Sequence, residues 1–240
     1  MVTTSQMVSV EARPARLSID LSKTAVLVID MQNDFGATGG MFDLASFDLA
    51  PIRDAVAPTV RVVAAARAAG IRIIYVNEAL RSDLSDIAKV ESPHRRMSQR
   101  MGFGNTVTTP SGRTGRIRIE DTWNTENLPE LVPQAGDIIV TKRRWSGFYE
   151  TDLDVKLRSL GVQYLIVTGC TTTVCVESTI RDAAFRDYAC LLPADCTGQP
   201  AVGEPRSSTH DASLLMIARH FGWVTTSQDV LTALAPMQNS

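Results

Sequence analysis

Six short apolar runs punctuate the chain: 24–29 (TAVLVI), 71–76 (IRIIYV), 137–141 (DIIVT), 163–168 (QYLIVT), 189–194 (ACLLPA) and 223–226 (WVTT). Most are continuous rather than alternating, the pattern of parallel strands buried on both faces. Segments of helical spacing lie between most of them. Residues 52–69 place Val56, Val60, Val63 and Ala64 on one stripe and stop at Gly70, which suits a left-handed C′ position. Thr151 to Asp154 opens a helix through Leu153, Leu157 and Leu160 that stops at Gly161. A third helix runs from Val174 past Ile180, Ala183 and Ala184, and a fourth over 207–220 ends before Gly222. Strand and helix in steady alternation predict right-handed crossovers and a three-layer α/β/α fold around a parallel sheet.

One stretch breaks this rhythm. Residues 77–136 separate two strands by far more than a crossover helix requires, and 92–119 holds six arginines (95, 96, 100, 113, 116, 118) with no Asp or Glu. A long irregular insertion, placed at about 81–121, predicts a lid, an interface arm or both, against the plainer reading of a solvated basic loop. Residues 1–20 mix charge, proline and polar residues without an apolar h-region; they read as a loose arm rather than a secretory signal, ahead of a single domain over 21–240. No apolar run reaches the roughly 18–20 residues of a spanning helix. The formal charge of −2 argues against a nucleic-acid or membrane-surface partner. Four cysteines at 170, 175, 190 and 196 match no zinc spacing and read as reduced thiols of a cytoplasmic protein.

In an open parallel sheet, ligands bind beyond the carboxyl ends of the strands. Asp30 follows the first apolar run, Asn77 and Glu78 the second, and Lys142 the third; GCTTTVCVES follows the fourth and sets Cys175 at a helix start. Singly, such residues are often a cap, a solvated lysine and a small buried hydrophobe. Together they bring a carboxylate, an ammonium and a thiol to one rim. A helix N-terminus and a neighbouring ammonium favour the thiolate, and Asp30 is placed to accept the thiol proton and return it to a departing amine. The small polar turn before Cys175 offers backbone N–H groups to an oxyanion. Asn77 and Glu78 are candidates for substrate polar groups, and Phe35, Trp145 and Tyr149 for pocket walls. Arg95, Arg96 and Arg100, from this subunit or a neighbour, are candidates for a substrate carboxylate or carbonyl. His94, His210 and His220 follow no strand, and no metal or cofactor site is expected. The glycines at 102 and 104 do not open a helix after a strand, so no dinucleotide fingerprint is read there.

AVLVIDMQNDF at 25–35, KRRWSGFYETDLD at 142–154 and VTGCTTTVCVESTIRDAAFRDY at 167–188 resemble the isochorismatase-like cysteine hydrolase superfamily. The resemblance covers roughly residues 22–235. It implies a six-stranded parallel sheet of order 3-2-1-4-5-6 and a triad of Asp30, Lys142 and Cys175. It also implies a cis Cys170–Thr171 peptide, an oxyanion hole from the amides of Thr171 and Cys175, and a homodimer or homotetramer. SGFYETDLD, VCVESTIRD and FGWV look most like ureidoacrylate amidohydrolase; RSDLSD, RMSQRMG and GRIRIEDTW look more like biuret hydrolase. The implied function is cleavage of a ureido or carbamoyl C–N bond in a small molecule through a Cys thioester. Alternatives are another small-amide hydrolase (N-carbamoyl amino acid or nicotinamide-like), a non-catalytic ligand-binding protein on the same sheet, or a redox or ring-opening role for the thiol.

Overall fold

The structure is a computed structural model that describes residues 6–200 and 206–235. In chain order its strands are β1 (Met7–Val10), β2 (Leu17–Asp20), β3 (Thr24–Ile29), β4 (Arg72–Glu78), β5 (Thr106–Thr108), β6 (Thr114–Arg116), β7 (Ile138–Lys142), β8 (Tyr164–Cys170), β9 (Ala189–Pro193), β10 (Thr197–Gly198) and β11 (Trp223–Thr225). The helices are α1 (Asn33–Gly36), α2 (Met41–Leu44), α3 (Ala50–Ala68), α4 (Pro93–Met101), α5 (Leu153–Ser159), α6 (Glu177–Ala184), α7 (Arg206–Met216) and α8 (Ser227–Leu234). Six strands pair in the order β7-β4-β3-β8-β9-β11, all parallel, with β10 added beside β8. By rank along the chain this is 3-2-1-4-5-6, as the family resemblance implies.

The central strand shows why its sequence is uninterrupted by polar residues. Side chains alternate across a strand, so Val26 and Val28 enter the core layer shared with Val62 and Ala66 of α3. Ala25, Leu27 and Ile29 enter the opposite layer with Leu157 of α5 and Ile180 of α6. Burying each valine, leucine or isoleucine is worth about 1.5–3 kcal/mol, so a one-residue slip of β3 would move a whole layer to the wrong face.

Two expectations change. Residues 7–20 are not a loose arm. β1 and β2 form an antiparallel hairpin, Val10 and Ile19 are buried in the core, and Arg13 exchanges backbone hydrogen bonds with Val224. Residues 1–5 of that arm lie outside the described residues. The insertion is not irregular either. Ser92 caps α4 by accepting from the Arg95 amide, Pro93 occupies its first turn and Gly102 closes it with φ +67°. A β5–β6 hairpin follows, and the chain returns beside the end of β4 through Leu80 N–H to Arg118 C=O at 2.7 Å and Glu120 N–H to Leu80 C=O at 3.0 Å. Among the described residues, no helix is long and apolar enough to cross a membrane.

Gly169, one residue before the end of β8, has φ +115°, and a Cβ there would lie 2.0 Å from the Ile29 carbonyl oxygen. The ends of β3 and β8 can meet this closely only without a side chain. Gly169→Ala is therefore expected to destabilise the fold by about 3 kcal/mol or more, read as a lowered thermal midpoint.

Candidate active site

The sheet register assembles the site. Glu78 pairs with Lys142 across β4 and β7, and Asp30 leaves β3 with its N–H on the Val76 carbonyl at 3.0 Å. Asp30 takes φ +52°, which turns its side chain out of the strand repeat at the rim. The Cys170–Thr171 peptide is cis, Cys170 donates its thiol to the Asp30 carbonyl at 3.1 Å, and a π-helical turn over Thr172–Val176 carries Cys175.

Lys142 stands at the centre. Its Nζ lies 2.8 Å from Asp30 Oδ2, 2.8 Å from Glu78 Oε2 and 3.5 Å from Cys175 Sγ, and it donates to the Arg144 carbonyl at 3.1 Å. Cys175 Sγ is 3.7 Å from Glu78 Oε2. The structure thus joins Asp30, Lys142 and Cys175 and adds Glu78 to them. Asp30, Lys142 and Glu78 are all buried, and Cys175 is 4% exposed.

A further cation completes the cluster. The Arg118 guanidinium pairs with Glu78 Oε1 and lies between the rings of Phe35 and Phe103, at 4.7 and 4.9 Å from their centroids. Its backbone N–H donates to Asp34 Oδ2 at 2.6 Å, while Asp34 Oδ1 accepts from Met41 N–H and Asn124 Nδ2. The side chain of Gln32 bonds both backbone groups of Glu78. The DMQNDF stretch therefore supplies one site carboxylate and several anchors that hold β4 and the insertion around it.

The remaining candidates divide. Phe35 walls the site through Arg118. Asn77 is turned to Asn127 in a reciprocal amide pair at 2.8 and 3.3 Å, and Glu78 is committed to two cations, so neither presents a free polar group to substrate. Trp145 packs against the core layer of α5 and α6, and Tyr149 is 49% exposed rather than a pocket wall. Arg95 donates to the Ala88 carbonyl and lines a surface cavity of about 430 Å³, Arg96 faces Glu91, and Arg100 is exposed. Arg118, not these three, is the arginine the insertion delivers. Sequence reading missed it because its position depends on the Asp34 anchor and on the return past the β5–β6 hairpin.

The charge balance also corrects the expected thiolate. Burial pushes the Cys175 thiol well up; Lys142 opposes this, and the charges of Asp30 and Glu78 reinforce it. Burial likewise raises Asp30, against the pull of Lys142. Burial alone would raise Glu78 too, but Arg118 and then Lys142 outweigh it and hold that carboxyl at about 2. Lys142 is raised, because Asp30, Cys175 and Glu78 together exceed its desolvation. Burial thus favours the neutral thiol at Cys175, and Glu78 is the carboxylate that its paired cations hold ionised.

A thiol, a carboxylate and an ammonium therefore meet at the carboxyl rim of a 3-2-1-4-5-6 parallel sheet. The isochorismatase domain model matches residues 24–229. The chain is 30% identical to a cysteine hydrolase from Pseudomonas syringae pv. phaseolicola, over 98% of this chain and 100% of that one, with a TM-score of 0.77. An isochorismatase family protein from Burkholderia thailandensis matches at 27% identity over 89% and 96% of the two chains, TM-score 0.69. N-carbamoylsarcosine amidase from Thermoplasma acidophilum matches at 26% identity over 85% and 96%, TM-score 0.63. The chain belongs to the isochorismatase family, among its cysteine hydrolases, and is a hydrolase rather than a passive binding protein.

Proposed function

We propose that this hydrolase is a metal-independent amidohydrolase that cleaves a C–N bond of a small ureido or carbamoyl compound, ureidoacrylate-like or biuret-like, through Cys175. The observation that carries this reading is the convergence of Asp30 Oδ2 and Cys175 Sγ on Lys142 Nζ. Likeness to a protein named N-carbamoylsarcosine amidase supports a carbamoyl-type substrate. Asp30, Glu78 and Cys175 present ligand atoms within 4.8 Å of one another. The Lys142 ammonium touches all three residues, so it supplies positive charge where a metal ion bound to them would.

The reaction begins as the Cys175 thiol passes its proton to Asp30 and the sulfur bonds the carbonyl carbon. The negative charge moves from Asp30 to the carbonyl oxygen, where the amides of Thr171 and Cys175 donate to it. As the C–N bond breaks, Asp30 protonates the leaving nitrogen and a thioester remains. Water then attacks, Asp30 takes its proton, the C–S bond breaks, and that proton returns to sulfur. With the thiol and Asp30 both raised, activity needs an ionised Asp30 and a protonated thiol; it falls in acid as Asp30 protonates and in strong base as the thiol ionises. Because Cys175 is nearly sealed, catalysis requires the surrounding loops to part, and iodoacetamide labelling of the Cys175 peptide reports that opening.

The test is ammonia release by purified protein over biuret, ureidoacrylate, N-carbamoyl amino acids, nicotinamide and simple amides. Release from a ureido or carbamoyl compound is expected. Release confined to nicotinamide or simple amides would move the substrate class, and none from the whole panel would remove the amidohydrolase reading. The same reading places the enzyme in the cytoplasm as a homodimer or homotetramer, a state that sedimentation measures. Exposed Ile139, Val155 and Phe185 are apolar surface consistent with such an assembly.

A further inference from the structure

Two carboxylates, not one, stand within reach of the Cys175 thiol. Glu78 Oε2 lies 3.7 Å from Sγ, and an Asp30 oxygen lies within 4.8 Å of it. The triad reading, on which this inference rests, gives the proton to Asp30, although Glu78 also stands within reach of the sulfur.

Their partners differ. Glu78 carries a cation on each oxygen, Arg118 on Oε1 and Lys142 on Oε2. Asp30 has Lys142 at Oδ2, and among the described residues no hydrogen-bond donor reaches Oδ1. A buried carboxylate keeps its charge in proportion to the cations paired with it, and a buried one with a bare oxygen takes a proton most readily. We propose that Glu78 and Arg118 form a positioning pair for proton transfer: Glu78 remains an anion, tethers Lys142 between the strand ends, and leaves Asp30 as the carboxylate that exchanges the proton with Cys175. In that exchange the S–H bond breaks and an O–H bond forms on Asp30, while Glu78, Arg118 and Lys142 keep their charges. The opposite displacements of the two carboxyls, Asp30 up and Glu78 down, agree with this division.

The groups facing the pair come from several elements. Lys142 comes from β7, Arg118 from the return of the insertion, Asp30 from the end of β3, and Cys175 from the π-helical turn. Cys170 at the end of β8 faces Asp30, Asp34 of α1 faces Arg118, and His94 of α4 feels both Glu78 and Arg118. Glu78's negative charge raises the proton affinity of Asp30 and Cys175, and Arg118's positive charge lowers that of Asp30. Arg118 and Cys175 likewise stabilise each other's charged forms. Removing one or the other charge must therefore move the site in opposite directions.

The experiment is iodoacetamide labelling of the Cys175 peptide against pH, resolved by mass spectrometry because Cys170, Cys190 and Cys196 are also free thiols. Glu78→Gln is expected to shift the labelling midpoint down by about one pH unit, and Arg118→Met to shift it up by a similar amount. Arg118→Lys, which keeps the charge, should return it toward wild type. The acid limb of ammonia release should follow the same signs. Shifts of one sign in both variants, or wild-type midpoints in both, would overturn the pair's role. So would a Glu78→Gln enzyme as inactive as Asp30→Asn, since Glu78 would then be the acceptor. If Glu78→Gln does not fold, the sign of the Arg118→Met shift and its return in Arg118→Lys decide the matter. Labelling needs no turnover, so a wild type that releases no ammonia sinks the substrate reading while leaving these shifts to be measured.

Discussion

Cys175→Ala is expected to lower ammonia release by about 10⁴- to 10⁶-fold while the protein stays folded and still binds substrate. The proposed chemistry makes its covalent bond at this sulfur, and no other thiol can stand in. Cys170 is fully buried with its thiol on the Asp30 carbonyl, and Cys190 and Cys196 lie in the core. The structural cost is small. The substitution removes one sulfur atom beside Lys142 and Glu78, and both keep their ion pairs. Adding Asp30→Asn to Cys175→Ala should cost little more, because groups that act on one bond are not additive. Melting curves and equilibrium binding of the substrate separate loss of chemistry from loss of fold. Turnover within about tenfold of wild type in a folded variant would remove Cys175 from the mechanism.

How much of this was legible in the sequence depended on how local each signal was. The continuous apolar runs of β3, β4, β7 and β8 fix which residues leave the sheet at its carboxyl rim. Asp30, Lys142 and Cys175 were therefore readable as strand-end groups before their distances were known. Glu78 was readable as a strand-end carboxylate but not in its role, because its contact with Lys142 depends on the register that sets β7 against β4, which a strand order alone does not give. Arg118 was hidden among six arginines of the insertion. Nothing local separates it from Arg95, Arg96 or Arg100. What selects it is the Asp34 carboxylate holding its amide and two phenyl rings holding its guanidinium. The thiolate expectation failed for a related reason. A helix start and a lysine were visible, whereas full burial beside two carboxylates was not, and burial is the larger effect. The N-terminal hairpin was missed because β1 and β2 are short and half exposed along much of their length, so their composition resembles a tail's.

Lys142→Met is expected to abolish turnover and to change how stability depends on pH. In the wild type one buried ammonium lies 2.8 Å from both Asp30 and Glu78. Methionine keeps much of the volume and removes the charge, so two buried carboxylates face each other with only Arg118 to balance them. Removing one partner from a buried charge cluster costs about 3–5 kcal/mol, and the site can recover part of this by taking up a proton. The folded-state proton affinity of both carboxyls then rises, Asp30's further above its unfolded value and Glu78's up from below it. Stability gained from such a proton is fully present below the unfolded carboxyl range and is lost as pH rises through the folded value. In the wild type Glu78, held at about 2, acts in the other direction. Its contribution is present above the unfolded range and lost as pH falls toward 2, offset in part by the raised Asp30. Urea midpoints between about pH 5 and about pH 8 should therefore fall more steeply with rising pH in Lys142→Met than in wild type. Adding Asp30→Asn should recover much of the loss at the alkaline end, since one carboxylate then faces one guanidinium. Parallel pH dependences for wild type and Lys142→Met would show that the ammonium does not hold these carboxylates together, and a double variant no more stable than Lys142→Met would place the strain elsewhere.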